Sequence, residues 1–248
     1  MMKECVLAIS VVLLSAPLLY CDGKMSPDEV SNAGVISIKK IVERNKLEKE
    51  GRRLAKQGLY DDALVRFRAA TNPALLNDEG EASVALCSIR RVYILQHRFE
   101  DALELNEKHI LPFNPKKDSY IDASLEILAL IKARDTKSNK PIYGYINYIR
   151  TKYPQYFPPK GDVVGMTDIF VDDFIHLYDY MRDYDGGIAL MDEMIKYYTS
   201  RPDPAHRSAR ANDVREYRRV KQAWELDKKT GKHGHLHEVI RTSDIIGW

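Results

Sequence analysis

The sequence predicts an all-α chain, a solenoid of about four helical hairpins followed by a C-terminal capping helix. Three observations carry this expectation. A short pattern recurs at intervals of 39 to 43 residues, apolar residues ahead of each recurrence fall at helical spacing, and prolines close three of the units. The composition permits such a fold, since 44% of the 248 residues are apolar and 30% are charged, an ordinary globular balance. A chain of this size buries roughly 70–75% of the surface its unfolded form exposes. Disordered, collagenous and multi-span membrane classes are excluded. Lys and Arg total 38 against 36 Asp and Glu, a formal net charge of +2. That balance argues against a surface built to neutralise many phosphates, so no nucleic-acid partner is expected.

Residues 1–20 read as a signal peptide. Val6 to Tyr20 is a run of fifteen mostly apolar residues behind Lys3, shorter than the ~20 that a membrane-spanning helix needs and suited to a secretory leader. Pro17 interrupts any helix near its end. Leu18-Leu19-Tyr20-Cys21 resembles the lipobox of bacterial lipoproteins; Leu18 and Cys21 fit, and Tyr20 stands where that pattern has a small residue. The resemblance implies lipid attachment at Cys21 and an exported protein, periplasmic or anchored in the cell envelope. A cleaved soluble exported form is one alternative, and an uncleaved anchor or cytosolic chain the other. Residues 21–35, polar and containing Pro27, read as a tether. Cys5 and Cys21 belong to these segments and only Cys87 lies beyond them, so no disulfide framework is expected.

Residues 36–200 hold the repeats. Gly58-Leu59-Tyr60-Asp61-Asp62-Ala63-Leu64 recurs as His97-Arg98-Phe99-Glu100-Asp101-Ala102-Leu103, and small residues at Ala63, Ala102, Gly144 and Gly187 mark four units. Four positions on stand Phe67, Asn106, Tyr148 and Met191, and ten positions on Pro73, Pro112, Pro154 and Tyr197. A small residue lets two antiparallel helices cross closely, and a large one a turn later fills the space between them. The proline ends the second helix. The predicted helices are 36–57 with 60–71, 79–96 with 99–110, 118–134 with 141–153, and 166–182 with 185–199. Residues 201–229 follow Pro202 and Pro204 as a capping helix, whose Val214, Tyr217, Val220 and Trp224 form an apolar stripe. Residues 230–248 read as a His-containing tail from which Ile245, Ile246 and Trp248 are available to dock back.

In the first unit Gly51, Leu54, Gly58, Tyr60, Ala63, Phe67 and Ala70 match the signature of the tetratricopeptide repeat family at its spacing, and the chain resembles that family over residues 44–199. The second unit keeps Tyr93, Phe99 and Ala102 but has Arg90 in place of a small residue. The third and fourth are degenerate, and the period exceeds the family's usual 34. The resemblance implies a right-handed α-solenoid whose first helices line a concave groove. Carried over by position, the groove residues are Lys49, Arg52 and Lys56, then Arg91, then Asp172, Asp173, His176, Asp179 and Tyr180. It further implies a scaffold that binds a protein or peptide partner; a component of an outer-membrane protein assembly complex is an alternative of the same class.

Apart from any family, Asp172, His176 and Asp179 share one helical face, and His233, His235 and His237 alternate in the expected tail. An envelope metal-binding protein or enzyme using either set is the rival reading. Phosphate-loop, dinucleotide, nucleophile-elbow, zinc-protease and C-x-x-C patterns do not occur in the sequence, so no catalytic residue, metal site or cofactor is expected. Residues 162–193 carry nine carboxylates against Arg182 alone, whereas residues 201–248 carry eleven Lys or Arg against seven acids. Such segregation is expected to orient an extended partner. Tyr143, Tyr145, Tyr148, Tyr153, Tyr156 and Phe157 crowd the third unit as core filling, with a few exposed contact anchors.

Overall fold

A computed structural model describes residues 27–76, 82–113, 118–157, 164–200 and 207–243. Over these the protein is all-α, with ten helices packed pairwise in sequence order. The pairs are α1 (Pro27–Lys56) with α2 (Tyr60–Ala70), α3 (Ser83–Leu95) with α4 (Phe99–Leu105), α5 (Asp118–Thr136) with α6 (Lys140–Lys152), and α7 (Val164–Met181) with α8 (Tyr184–Ser200). α9 (Arg207–Thr230) lies on α8, and α10 (His235–Thr242) packs on α9 and touches α1. The expected signal peptide, Cys21, Ile245, Ile246 and Trp248 lie outside the described residues. Among the described residues, no helix is long and apolar enough to cross a membrane.

Two expected boundaries move. α1 begins at Pro27, so the later part of the expected tether is helical; a proline suits the first turn of a helix, where its missing N–H is no loss. The expected tail also folds in part, because Leu236, Val239 and Ile240 of α10 form a buried stripe among the histidines.

The four pairs share one turn. The amides of Leu59, Arg98, Ser138 and Asp183 donate to the carbonyls of Leu54, Tyr93, Ala133 and Tyr178, and those of Gly58, His97, Lys137 and Arg182 to Ala55, Ile94, Arg134 and Asp179, all at 2.8–3.3 Å. This is the Schellman closure of a helix C-terminus, which places one residue in the left-handed region. That residue is Gly58 (φ 76), His97 (φ 58), Lys137 (φ 50) or Arg182 (φ 55). Only the first is glycine, and each of the others carries a cost on the order of 1 kcal/mol. Lys137 is exposed, so Lys137→Gly is expected to stabilise the protein by about 0.5–1 kcal/mol. A urea midpoint that stays put or falls would show that this turn holds no such strain.

These turns set a register that corrects the third unit. Five residues beyond them stand Ala63, Ala102, Ile142 and Gly187, and nine beyond stand Phe67, Asn106, Ile146 and Met191, all buried. The sequence pattern instead chose Gly144 and Tyr148. A Cβ on Gly144 would meet nothing within 4 Å, and Tyr148 is exposed. The physical reason is an exchange of volume. Ala133 occupies the place before the turn that Leu54, Tyr93 and Tyr178 hold elsewhere, and buried Ile142 supplies bulk where the other pairs have Ala or Gly.

The same register shows what the degenerate units substitute. A Cβ on Gly51 would come within 2.6 Å of the Phe67 ring, so the first unit needs its glycine. In the second unit these positions are Arg90 and Asn106, and packing becomes a hydrogen bond in which Arg90 Nη1 donates to Asn106 Oδ1 at 2.6 Å. The fully buried Asn106 also donates to Tyr120 O and Ser124 Oγ, both at 2.8 Å, and the helix widens into a π turn at Asn106–Ile110. A buried amide satisfied on both ends avoids a desolvation penalty of about 1–3 kcal/mol. Between α6 and α7 aromatic rings make the join: Tyr153 stacks on Phe170 at 5.0 Å and Phe157 on Phe174 at 5.1 Å. Tyr145 is buried, and Tyr143 and Tyr148 stand exposed.

Candidate functional site

Four neighbouring cavities of about 300–470 Å³ follow one face of the molecule. They run into one another through shared walls, with His176 and Glu126 each bordering three of them. The walls come mainly from the first helices of the pairs and from α10. Arg52 and Lys56 of α1, Arg91 of α3, and Asp173, His176, Asp179 and Tyr180 of α7 all border this space. Lys49 is exposed outside these walls. Lys56 donates to the carbonyl of Ser243 at 2.5 Å, and Arg52 lies 3.6 Å from Glu48. Tyr180 meets Phe99 edge-on at 5.8 Å and His97 at 5.4 Å.

The centre of the face is a charge cluster between α3, α5 and α7. Arg91 pairs with Asp172 and lies 3.9 Å from Asp173, while His176 Nε2 stands 4.0 Å from Asp172 and has no protein hydrogen-bond partner. Burial pushes Glu126 up to about 8, with Asp173 adding to the rise against Arg90 and Arg91. Burial likewise raises Asp173 to about 6, and burial together with Arg91 lowers His176 to about 4. At neutral pH the cluster therefore sets Arg90 and Arg91 against Asp172 and Asp173, with Glu126 and His176 uncharged. This leaves a hydrogen-bonding surface of nearly balanced charge rather than a strongly acidic one.

Glu126 escaped the sequence reading although a signal was present. It is a lone carboxylate in the run Ser124-Leu125-Glu126-Ile127-Leu128, and it shares a helical face with Ala123, Leu130 and Ala133, which are buried.

Asp172, His176 and Asp179 do not converge as the rival metal reading would need. Asp172 turns to Arg91, and Asp179 is met by the histidines of the C-terminal segment, with His233 Nε2 at 3.9 Å from its Oδ2. His235, the middle one of the alternating three, instead pairs with the fully buried Asp227.

Part of the segregated charge meets across the fold, and part is met from elsewhere. Lys221 Nζ lies 2.6 Å from Asp192, Lys228 Nζ 2.5 Å from Asp185, and Arg150 Nη2 2.8 Å from Glu193. Asp183 accepts from Gly186 N at 3.0 Å and from Tyr143 Oη at 2.7 Å. Two lysines of the basic helix α9 thus pair with two carboxylates of the acidic helix α8. Their exposed pairs contribute about 0–1 kcal/mol each. Comparison with known protein families, with curated proteins and with solved structures finds no match.

Proposed function

We propose that the chain is a tetratricopeptide-type scaffold, a right-handed α-solenoid that binds an extended segment of a protein or peptide partner along its inner face. It acts by binding rather than by catalysis. In this reading it is exported and held at the bacterial cell envelope through a lipid on Cys21. The observation that carries the proposal is the connected run of cavities bordered by the first helices of successive pairs. Stacked hairpins create such a surface where no single hairpin has one. Its chemistry suits a peptide: Tyr60, Ile94, Leu95 and Tyr180 offer apolar contact, and Glu126 and His176 border it as uncharged hydrogen-bonding groups.

Photo-crosslinking residues placed at Arg52 and Tyr180 are expected to capture the same partner, and placement at Val65 and Tyr148, exposed on α2 and α6, is expected to capture none. With that partner purified, Tyr180→Ala is expected to weaken binding roughly 10- to 30-fold, the loss of about 1.4–2 kcal/mol typical of an aromatic anchor. Capture from the outer positions alone, or unchanged affinity of the variant, would place the binding surface elsewhere.

A further inference from the structure

Asp179, His233 and His237 bring their ligand atoms to within 4.8 Å of one another. They come from distant parts of the chain. Asp179 sits in the last turn of α7, His233 in the loop after α9, and His237 in the first turn of α10. We propose that these three side chains form a binding site for a divalent transition-metal ion of the zinc type, with a free coordination position facing the central cavity.

The donor set fits that ion. Two borderline imidazole nitrogens and one carboxylate oxygen are a donor set of the kind that holds zinc at about 2.0–2.2 Å, and three protein ligands leave a fourth position open. Rotation of the two histidine side chains, both exposed, closes the remaining gap. The carboxylate is the fixed member of the set, only 8% exposed.

Neighbouring groups hold the ligands in the orientation that metal binding requires. Trp224 Nε1 donates to Asp179 Oδ1 at 3.3 Å, which leaves Oδ2 for the ion. Tyr184 Oη lies 3.0 Å from His233 Nδ1. With Nδ1 donating its proton to that hydroxyl, the lone pair of Nε2 points toward Asp179. Outer contacts of this sort fix the tautomer and ring direction of metal-bound histidines.

The backbone is shaped to the same end. Gly234 has φ 126, a conformation open to glycine, and it brings His233 and His237 together at 6.1 Å between ring centroids. Asp227 anchors the loop, its side chain accepting from the amides of Gly234 and His235 at 3.4 and 3.3 Å and pairing with the His235 ring. His235 is thereby occupied as a loop anchor, which separates the two histidines of the site from the one between them. The open side faces the cavity of about 370 Å³ that Asp179, His233 and His237 themselves help to line.

The test uses the full chain prepared without an affinity tag. Calorimetric titration with Zn²⁺ at neutral pH is expected to show one ion per chain, and Co²⁺ to give the visible absorption of a four-coordinate site. Asp179→Asn, His233→Ala and His237→Ala are each expected to lose at least about tenfold in affinity, and Tyr184→Phe about 10- to 100-fold as an outer contact. His109→Ala, at an exposed histidine on the π turn, is expected to bind like the parent. Circular dichroism on each variant separates loss of the site from loss of the fold. Absence of stoichiometric uptake by the parent overturns the proposal. So does a folded Asp179→Asn variant with parental affinity, which would reduce the binding to adventitious capture by the histidines alone.

Discussion

Trp224→Ala is expected to destabilise the protein by about 3–5 kcal/mol, the range for removing a large buried aromatic side chain. The indole is fully buried, and its face lies against α8 where Gly187 has no side chain. A Cβ on Gly187 would come within 2.5 Å of the ring. Gly187→Ala is accordingly expected to cost about 1–3 kcal/mol as overpacking. The two effects belong to one contact, so they must not add: in the Trp224→Ala background the added methyl finds space, and its cost vanishes. Urea unfolding of the four chains of this cycle measures the coupling. Simple additivity would mean that the ring and the glycine backbone do not restrain each other. An effect of this size is large against a total stability of about 5–15 kcal/mol, because α9 covers the apolar face of α8 through Val214, Tyr217, Val220 and Trp224, all buried.

That stripe was legible in the sequence because its spacing of three and four residues persists over three turns of a long helix. The helix pairs were legible for a related reason: a glycine or alanine, a bulky residue and a turn recur together. The third pair shows where this logic fails. Gly144 is the small residue that the spacing selects, but size alone does not say which face of a helix is buried, and the buried position is held by Ile142. Arg90 stands as a departure from the pattern, whereas with Asn106 it replaces an apolar contact by a part-buried hydrogen bond. α10 was missed because an apolar stripe of three residues on an eight-residue helix is too short to stand out among alternating histidines.

The site was legible residue by residue but not in its partnerships. Spacing along α7 places Asp172, His176 and Asp179 on one face, and that much follows from helical geometry. What meets each of them depends on contacts far away in sequence. Arg91 of α3 takes Asp172, and His233 takes up position beside Asp179. The acidic and basic stretches are subject to the same limit. Sequence order separates them, whereas folding lays α9 along α8 and pairs Lys221 with Asp192 and Lys228 with Asp185.

Stability is expected to fall by up to about 2 kcal/mol as the pH rises from 6.5 to 8, and Glu126→Gln is expected to remove that fall. Burial raises Glu126 from its ordinary 4.5 to about 8, so across this interval the folded protein retains a proton that the unfolded chain has released. Each pH unit then costs the folded state up to about 1.36 kcal/mol. His176 acts in the opposite sense. Lowered from 6.5 to about 4, it stays neutral in the folded state while the unfolded chain takes up a proton, so its contribution is lost as the pH falls from 6.5 toward 4. Asp173, raised to about 6, has completed most of its titration before the upper window begins. Above pH 6.5 the slope therefore belongs mainly to Glu126, which faces Arg90 and Arg91 from α3 and Asp172 and Asp173 from α7. Urea midpoints of parent and variant at pH 6.5 and 8 decide the matter. A parent without the slope would mean that the two arginines outweigh burial and hold Glu126 ionised throughout, adding a carboxylate to Asp172 and Asp173 in the cluster between α3, α5 and α7.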